Sequence, residues 1–367
     1  MKTVLPACLL AFPFLLTAQE NFFDRRDADG DGKWSREELP ERLREDFERL
    51  DTDRDGFLSR EEAAAARPKR PNSGGPGGGK GGPRPHEGVK AIRDLDYAGT
   101  GNPRQRLDLY LPEKREGEGP LPVVVFIHGG GWQNGDKSGG GRRVAPYVAT
   151  GKYAGVSVGY RLSDEAQWPS QIHDCKAAIR WIKANAAERG LDPDRIAVWG
   201  TSAGGHLVAM LGVSDGVEGL EGEIGPHLGQ NAKVKCVVDF FGPAEMLTLG
   251  SRHDNPNSPR AKLLGGSAEE NPNKSKNASP VEHVTADDAP FLIVHGTEDR
   301  TVPYEQSTTL EKKLEVAGVS AILLTVEGGG HGQGFGGAVD EAVAAYLGQQ
   351  LLGEKRELTD GTVKAGE

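Results

Sequence analysis

Gly200-Thr201-Ser202-Ala203-Gly204 lies between the apolar strand signal Ile196-Ala197-Val198 and the apolar run Leu207-Val208-Ala209-Met210-Leu211. A strand that turns at once into a helix needs a sharp bend, and small residues must flank it. That arrangement belongs to parallel sheets, whose strands are joined by crossover helices. The bend also lifts the Ser202 hydroxyl clear of the backbone, which makes it the candidate nucleophile. The pentapeptide alone is not sufficient, because Gly155-Val156-Ser157-Val158-Gly159 repeats it. There the serine has a β-branched valine on each side, which favours extended strand, and no helix follows. Ser157 is therefore read as an ordinary strand residue.

The pattern from 89 to 353 alternates in the same way. Val123–Ile127, Tyr153–Val158, Arg195–Trp199, Val234–Phe240, Phe291–Val294 and Ala321–Val326 read as strands. Gln171–Ala187, Glu305–Val316 and Ala338–Leu352 carry helical spacing. Continuously apolar strands alternating with helices predict a doubly wound, mostly parallel α/β sheet covered on both faces. Residues 354–367 are polar and are expected to form a frayed tail.

A nucleophilic serine needs a base, an acid to orient that base, and donors for the oxyanion. His128-Gly129-Gly130-Gly131-Trp132 follows directly on the strand Val123–Ile127, about 70 residues before Ser202. Glycines let backbone N–H groups turn inward, so the hole is assigned to Gly129 and Gly130 with Ala203. His128 is read as shaping this loop, and Trp132 as a wall of the substrate site. Among the histidines after Ser202, only His331 stands in a glycine-rich loop between a late strand and the last helix, Gly328-Gly329-Gly330-His331-Gly332. It is the predicted base. His206, one turn into the helix after Ser202, is read as packing. Asp299, in the turn after the strand ending at His295, is the predicted acid, and its neighbour Glu298 is the rival.

Composition narrows the partners. The formal net charge of −10 argues against nucleic acid, whose phosphates need a basic face. Lys2 followed by the apolar stretch Leu5–Ala18 reads as a signal peptide over 1–18, which implies a secreted or periplasmic protein. That stretch is too short and too proline-interrupted for a stable membrane span. Cys175 and Cys236 remain after its removal and are read as packed thiols rather than a disulfide.

The negative charge is concentrated near the start. Residues 20–62 carry 16 acidic and 9 basic side chains. Within them, 27–38 and 51–62 both match the twelve-residue EF-hand calcium loop. The first offers Asp27, Asp29, Asp31, the carbonyl of Lys33 and Glu38. The second offers Asp51, Asp53, Asp55, the carbonyl of Phe57 and Glu62. Leu39, Leu43, Phe47 and Leu50 form an apolar helical stripe between them. An α-helical EF-hand pair over 19–66 holding structural Ca2+ is therefore expected. Residues 67–87, rich in glycine and proline, form a linker.

Several stretches together resemble the α/β-hydrolase esterases that carry an HGGGW loop, near the hormone-sensitive-lipase-like and bacterial feruloyl/acetyl-xylan esterase groups. They are Leu107-Asp108-Leu109-Tyr110-Leu111-Pro112, His128 to Trp132, Tyr160-Arg161-Leu162, Gly200 to His206, the Asp299 turn and the His331 loop. The resemblance implies the α/β-hydrolase fold over 88–353 and ester hydrolysis through an acyl-enzyme, with no catalytic cofactor. The expected substrates are short-chain or carbohydrate-linked esters, small or polymeric. A peptidase or amidase on the same triad, and a non-catalytic calcium-dependent binding protein, are the alternatives. Similar enzymes often read Gly-His-Gly-Phe-Gly, whereas Gln333 and Gly334 here separate Gly332 from Phe335. Residues 243–285, between two core strands, are expected to form a small cap.

Overall fold

Val123, Val124, Val125, Phe126 and Ile127 are all buried, as a strand with helices on both faces requires. In the computed structural model they form β3 (Leu121–Ile127) of a nine-stranded sheet. The structure describes residues 33–36, 38, 44, 47–59, 62, 86–250, 253, 255–356 and 358–367. The other strands are β1 (Val89–Asp96), β2 (Arg106–Pro112), β4 (Ala154–Val158), β5 (Leu191–Thr201), β6 (Cys236–Phe240), β7 (Phe291–Gly296), β8 (Ala321–Glu327) and β9 (Gly361–Lys364). Their spatial order is β1-β2-β4-β3-β5-β6-β7-β8-β9. The pairs β1–β2 and β2–β4 are antiparallel, and every pair from β4–β3 onward is parallel.

Both faces are covered. Helices α1 (Gly141–Ala149) and α7 (Gly337–Leu352) bury Val144, Val148, Val343 and Tyr346 on one side. On the other, α2 (Ser170–Ala184), α3 (Ala203–Val213) and α6 (Glu305–Ala317) bury Ile179, Leu207, Val208 and Leu310. Every residue of α3 is buried, so this helix sits at the centre of the core. Each such leucine or valine contributes about 1.5–3 kcal/mol of burial. This is the doubly wound α/β sheet expected, consistent with an α/β-hydrolase fold.

The expectation that 354–367 frays is overturned. Gly361–Lys364 pairs with β8 as a parallel edge strand, because Thr362 and Val363 supply the extended backbone the open edge accepts. Beyond it, Ala365 N–H donates to Glu327 O (2.9 Å), Gly366 N–H to Gly334 O (2.8 Å), and Ala338 N–H to Glu367 O (3.2 Å). Cys175 and Cys236 are buried free thiols.

The decoy serine is explained by its surroundings. Ser157 is fully buried in β4, and its Oγ donates to the carbonyl of Lys137 at 2.6 Å. Lys137 is buried too, with Nζ 2.7 Å from Asp94 and 2.8 Å from Asp108. This cluster ties the segment after the glycine loop to β1 and β2.

Residues 1–78 form a separate compact unit. In it Trp34 and Leu58, both buried, exchange backbone hydrogen bonds of 2.9 and 2.8 Å across an antiparallel bridge. Phe47 and Leu50, on one helical turn (Phe47–Leu50), are buried as well. The expected signal peptide, Asp27, Asp29, Asp31, the stripe residues Leu39 and Leu43, and nearly all of the expected linker lie outside the described residues.

Candidate active site

The candidate site residues stand at the C-terminal ends of β3, β5, β7 and β8, where open α/β sheets present their loops. Ser202 directly follows β5 and caps α3 with φ 56° and ψ −121°, a strained conformation costing on the order of 1–3 kcal/mol. Hydrogen bonds hold it there: Ser202 N–H donates to Phe240 O (2.9 Å), and His206 N–H to Ser202 O (3.0 Å). The flanking glycines are obligatory. A Cβ on Gly200 would strike the carbonyl of Gly204, and one on Gly204 would strike that of Ile127.

Three predicted residues, Ser202, His331 and Asp299, come together in one line. His331 Nε2 lies 2.9 Å from Ser202 Oγ, and its Nδ1 lies 2.6 Å from Asp299 Oδ2. A carboxylate only accepts, so Nδ1 carries the proton and Nε2 is free to accept the serine hydroxyl. Glu298, the rival acid, is exposed. The Asp299 side chain has no solvent exposure. Burial alone would raise its pKa. Hydrogen bonds from His295, His331 and the N–H groups of Val302 and Thr301 override this and hold the carboxyl well below the ordinary carboxylate range.

His295 is a neighbour the sequence reading passed over as a strand end. It is fully buried at the end of β7. Its Nε2 lies 3.0 Å from Val302 O and 3.3 Å from Asp299 Oδ2, while Nδ1 faces Ser307 Oγ at 2.6 Å. The carbonyl fixes the proton on Nε2, which thus also points at the acid. Phe241, with φ 45°, packs its ring 4.4 Å from that of His331.

The glycine loop presses against Ser202. A Cβ on Gly129 would stand 2.5 Å from Thr201 O and 3.3 Å from Ser202 Cβ. Gly130, at φ 110°, has no room for a Cβ beside Asn134 O. His128 stacks on Tyr160 at 4.3 Å, and its Nδ1 donates to Gly129 O at 2.8 Å. Burial pushes its pKa down to about 4, so the ring is neutral and shapes the loop. Trp132 Nε1 donates to His206 Nδ1 (3.2 Å), and His206 Nε2 donates to Ala278 O (2.7 Å). His206, likewise pushed down to about 4 by burial, therefore bridges the loop to the 243–285 segment. That segment folds as α4 (Pro259–Leu264) and α5 (Pro272–Asn277), with Pro243, Leu249, His253 and Pro259 reaching the site.

Above Ser202 opens a cavity of about 710 Å³. Its lining includes Gly129, Gly130, Trp132, Ala203, His331 and Arg143, the last unremarked in the sequence reading. The Gln333-Gly334 departure shapes one wall. Gly330 N–H donates to Gln333 O (3.0 Å), Gln333 faces the cavity, and Phe335 turns inward onto Phe240 and Phe241.

Near the nucleophile elbow, Asp239 is buried in β6. Its Oδ1 accepts the N–H of Gly242 at 2.9 Å. Burial raises its pKa to about 7 despite that hydrogen bond.

In the other unit, the carboxylate oxygens of Asp51, Asp53 and Asp55 lie within 4.8 Å of one another. Asp51 accepts the N–H groups of Asp55 and Gly56, and Glu62 accepts those of Thr52 and Ser59. Lys33 Nζ lies 2.5 Å from Asp55, and Glu38 accepts the N–H of Ser35 at 2.8 Å. The side chain of Phe57 is exposed.

Several proteins similar to this chain in sequence or structure bear the name of esterase. Esterase LipC of Mycobacterium tuberculosis is 30% identical over 68% of this chain and 63% of its own length. The chain spans 49% of the probable carboxylic ester hydrolase LipM and 56% of esterase LipQ, both from the same organism. A truncated carbohydrate esterase from gut microbiota superposes with a TM-score of 0.69, at 33% identity, over 73% of this chain and 99% of that one. Thermogutta terrifontis esterase 2 is 27% identical, with a TM-score of 0.53 over 67% of this chain and 84% of its own. Residues 107–314, more than half of the 367, match a single family and take in both the glycine loop and the nucleophile elbow, so this chain belongs to the BD-FAE family.

Proposed function

We propose that this chain is an exported serine carboxylesterase that hydrolyses short-chain or carbohydrate-linked esters through an acyl-enzyme. The observation that carries the reading is the hydrogen-bonded line Ser202–His331–Asp299 on the wall of an open cavity. In the first step Ser202 Oγ bonds to the ester carbonyl carbon while its proton passes to His331 Nε2. The N–H groups of Gly129, Gly130 and Ala203 receive the oxyanion. Collapse expels the alcohol, which takes the proton from His331. Water then repeats the sequence on the acyl-Ser202 ester, releasing the acid and restoring the serine. Asp299 holds the ring in the Nδ1–H tautomer and stabilises the imidazolium.

Carbohydrate esters are favoured by similarity to the gut-microbial carbohydrate esterase. Rates on paired aryl acetates and aryl anilides test the reading. Turnover of acetates, lost in Ser202→Ala, supports an esterase. Preferential anilide turnover would move the assignment to amidase chemistry, and no turnover of either would leave a binding protein.

The N-terminal unit is proposed to be a calcium module. Carboxylates within 4.8 Å of one another are the donors a hard, oxygen-seeking cation takes, and hydrogen bonds from Thr52 and Ser59 hold Glu62 ionised with a pKa of about 2. Asp51, Asp53, Asp55, the Phe57 carbonyl and Glu62 would hold one ion. Asp27, Asp29, Asp31, the Lys33 carbonyl and Glu38 would hold the other. The ion supplies structural charge balance only. Export through residues 1–18 is consistent with that role, since extracellular calcium is plentiful.

A further inference from the structure

The cavity over Ser202 holds, among the described residues, one permanent charge that ester hydrolysis leaves unused. Among the described residues, Arg143 is the only lining group with a permanent charge, and no aspartate or glutamate shares the lining. Arg143 belongs to the first turn of α1, which carries no acidic residue. The N-terminal end of a helix is its positive end, so an arginine there is electrostatically disfavoured on stability grounds. Among the described residues it has no ion-pair partner. Instead its guanidinium lies over the indole of Trp199, Cζ 5.9 Å from the ring centroid. Trp199 is buried in β5, three residues before Ser202. Stacking on a buried indole orients a guanidinium without neutralising it. Among the described residues nothing neutralises this cation at the cavity, in a chain whose formal net charge is −10.

We infer that Arg143 makes this site selective for esters that carry a carboxylate, as esters of acidic sugars do. A planar guanidinium matches a carboxylate with two parallel N–H donors, and one cation balances one negative charge. A dianionic phosphate would be left half compensated by the described lining. The inference rests on the serine-esterase reading and deepens it by naming the substrate class.

Two matched pairs of substrates test it. One pair puts the charge on the acyl side, 4-nitrophenyl hemisuccinate against 4-nitrophenyl butyrate. The other puts it on the alcohol side, 4-acetoxybenzoate against phenyl acetate. The readout is the anionic-to-neutral ratio of kcat/KM within each pair. In one pair this ratio should fall by about tenfold in Arg143→Gln, the worth of one partly exposed charge-assisted contact. Arg143→Lys should recover part of it. About 0.5 M salt should shrink the wild-type ratio, because the contact is partly solvated. Ratios that are unchanged between wild type and Arg143→Gln in both pairs overturn the inference. So does an equal loss on neutral and anionic esters in a variant that melts at the wild-type temperature. Wild-type protein that cleaves no member of either pair would overturn the esterase reading itself.

Discussion

His331 and His295 converge on a single oxygen, Asp299 Oδ2, at 2.6 and 3.3 Å. The first contact belongs to the line that aims His331 Nε2 at Ser202 Oγ. The second comes from a ring whose own position is fixed by Val302 O and Ser307 Oγ. The carboxylate is thereby held from two sides.

Losing Ser202 should remove hydrolysis without unfolding the protein. Ser202→Ala is expected to lower kcat by on the order of 10⁴-fold or more, with thermal melting near wild type. Ser157→Ala should lose the buried bond to Lys137 O and about 1 kcal/mol of stability, while keeping turnover. A protein in which Ser157→Ala is the dead variant would refute the assignment of the nucleophile.

Asp299→Asn should cost on the order of 10³–10⁴ in kcat, through the wrong imidazole tautomer, whereas exposed Glu298→Gln should stay near wild type. The same substitution has a signature in acid. The folded-state pKa of Asp299 is depressed, so its contribution to stability is present above the unfolded value near 3.8 and is lost as pH falls below it. Wild type should therefore lose Tm more steeply than Asp299→Asn between about pH 4 and pH 2. Parallel melting curves over that range would contradict the hydrogen-bond account of Asp299.

Asp239 should act in the opposite sense. Its folded pKa is raised to about 7 from 3.8. Stability is then fullest below the unfolded value and declines as pH rises toward and through 7. Asp239→Asn keeps an oxygen for Gly242 N–H and removes the titration. The decline in Tm from pH 4 to pH 8 should flatten in this variant, as scanning calorimetry at several pH values can establish.

Calcium should bind the N-terminal unit and leave the chemistry alone. Titration calorimetry should give saturable binding, weakened at least about tenfold by combining Asp51→Asn with Glu62→Gln. Turnover of a small soluble ester should survive chelator. Loss of that turnover would place the metal nearer the chemistry than residues 51–62.

Much of this was readable from residue order. The continuously apolar strands and the two glycine-framed loops are local signals, so β3, β5, the elbow and the Ser202–Asp299–His331 set could be found along the chain. Helix α1 could not. Its residues Gly141–Ala149 follow two more glycines and include Pro146, which weakens any local helical signal, and packing of Val144 and Val148 on the sheet holds the helix. Arg143 was hidden with it. The raised pKa of Asp239 and the second contact on Asp299 involve partners close in sequence, Gly242 and His295, but depend on the burial of these groups by the assembled core, which no local pattern encodes. Edge strand β9 was missed because its composition is polar and its pairing non-local.

That edge strand is also a latch. Through Gly366 N–H on Gly334 O and Ala365 N–H on Glu327 O, residues 361–367 grip both ends of the loop that carries His331. None of them touches the cavity. A protease nick at the exposed residues ahead of Gly361, or a chain shortened by those seven residues, would keep every described cavity-lining side chain and still slacken the tether that positions His331. Damage at this remote margin would thus be expressed as lost turnover before it was expressed as lost fold.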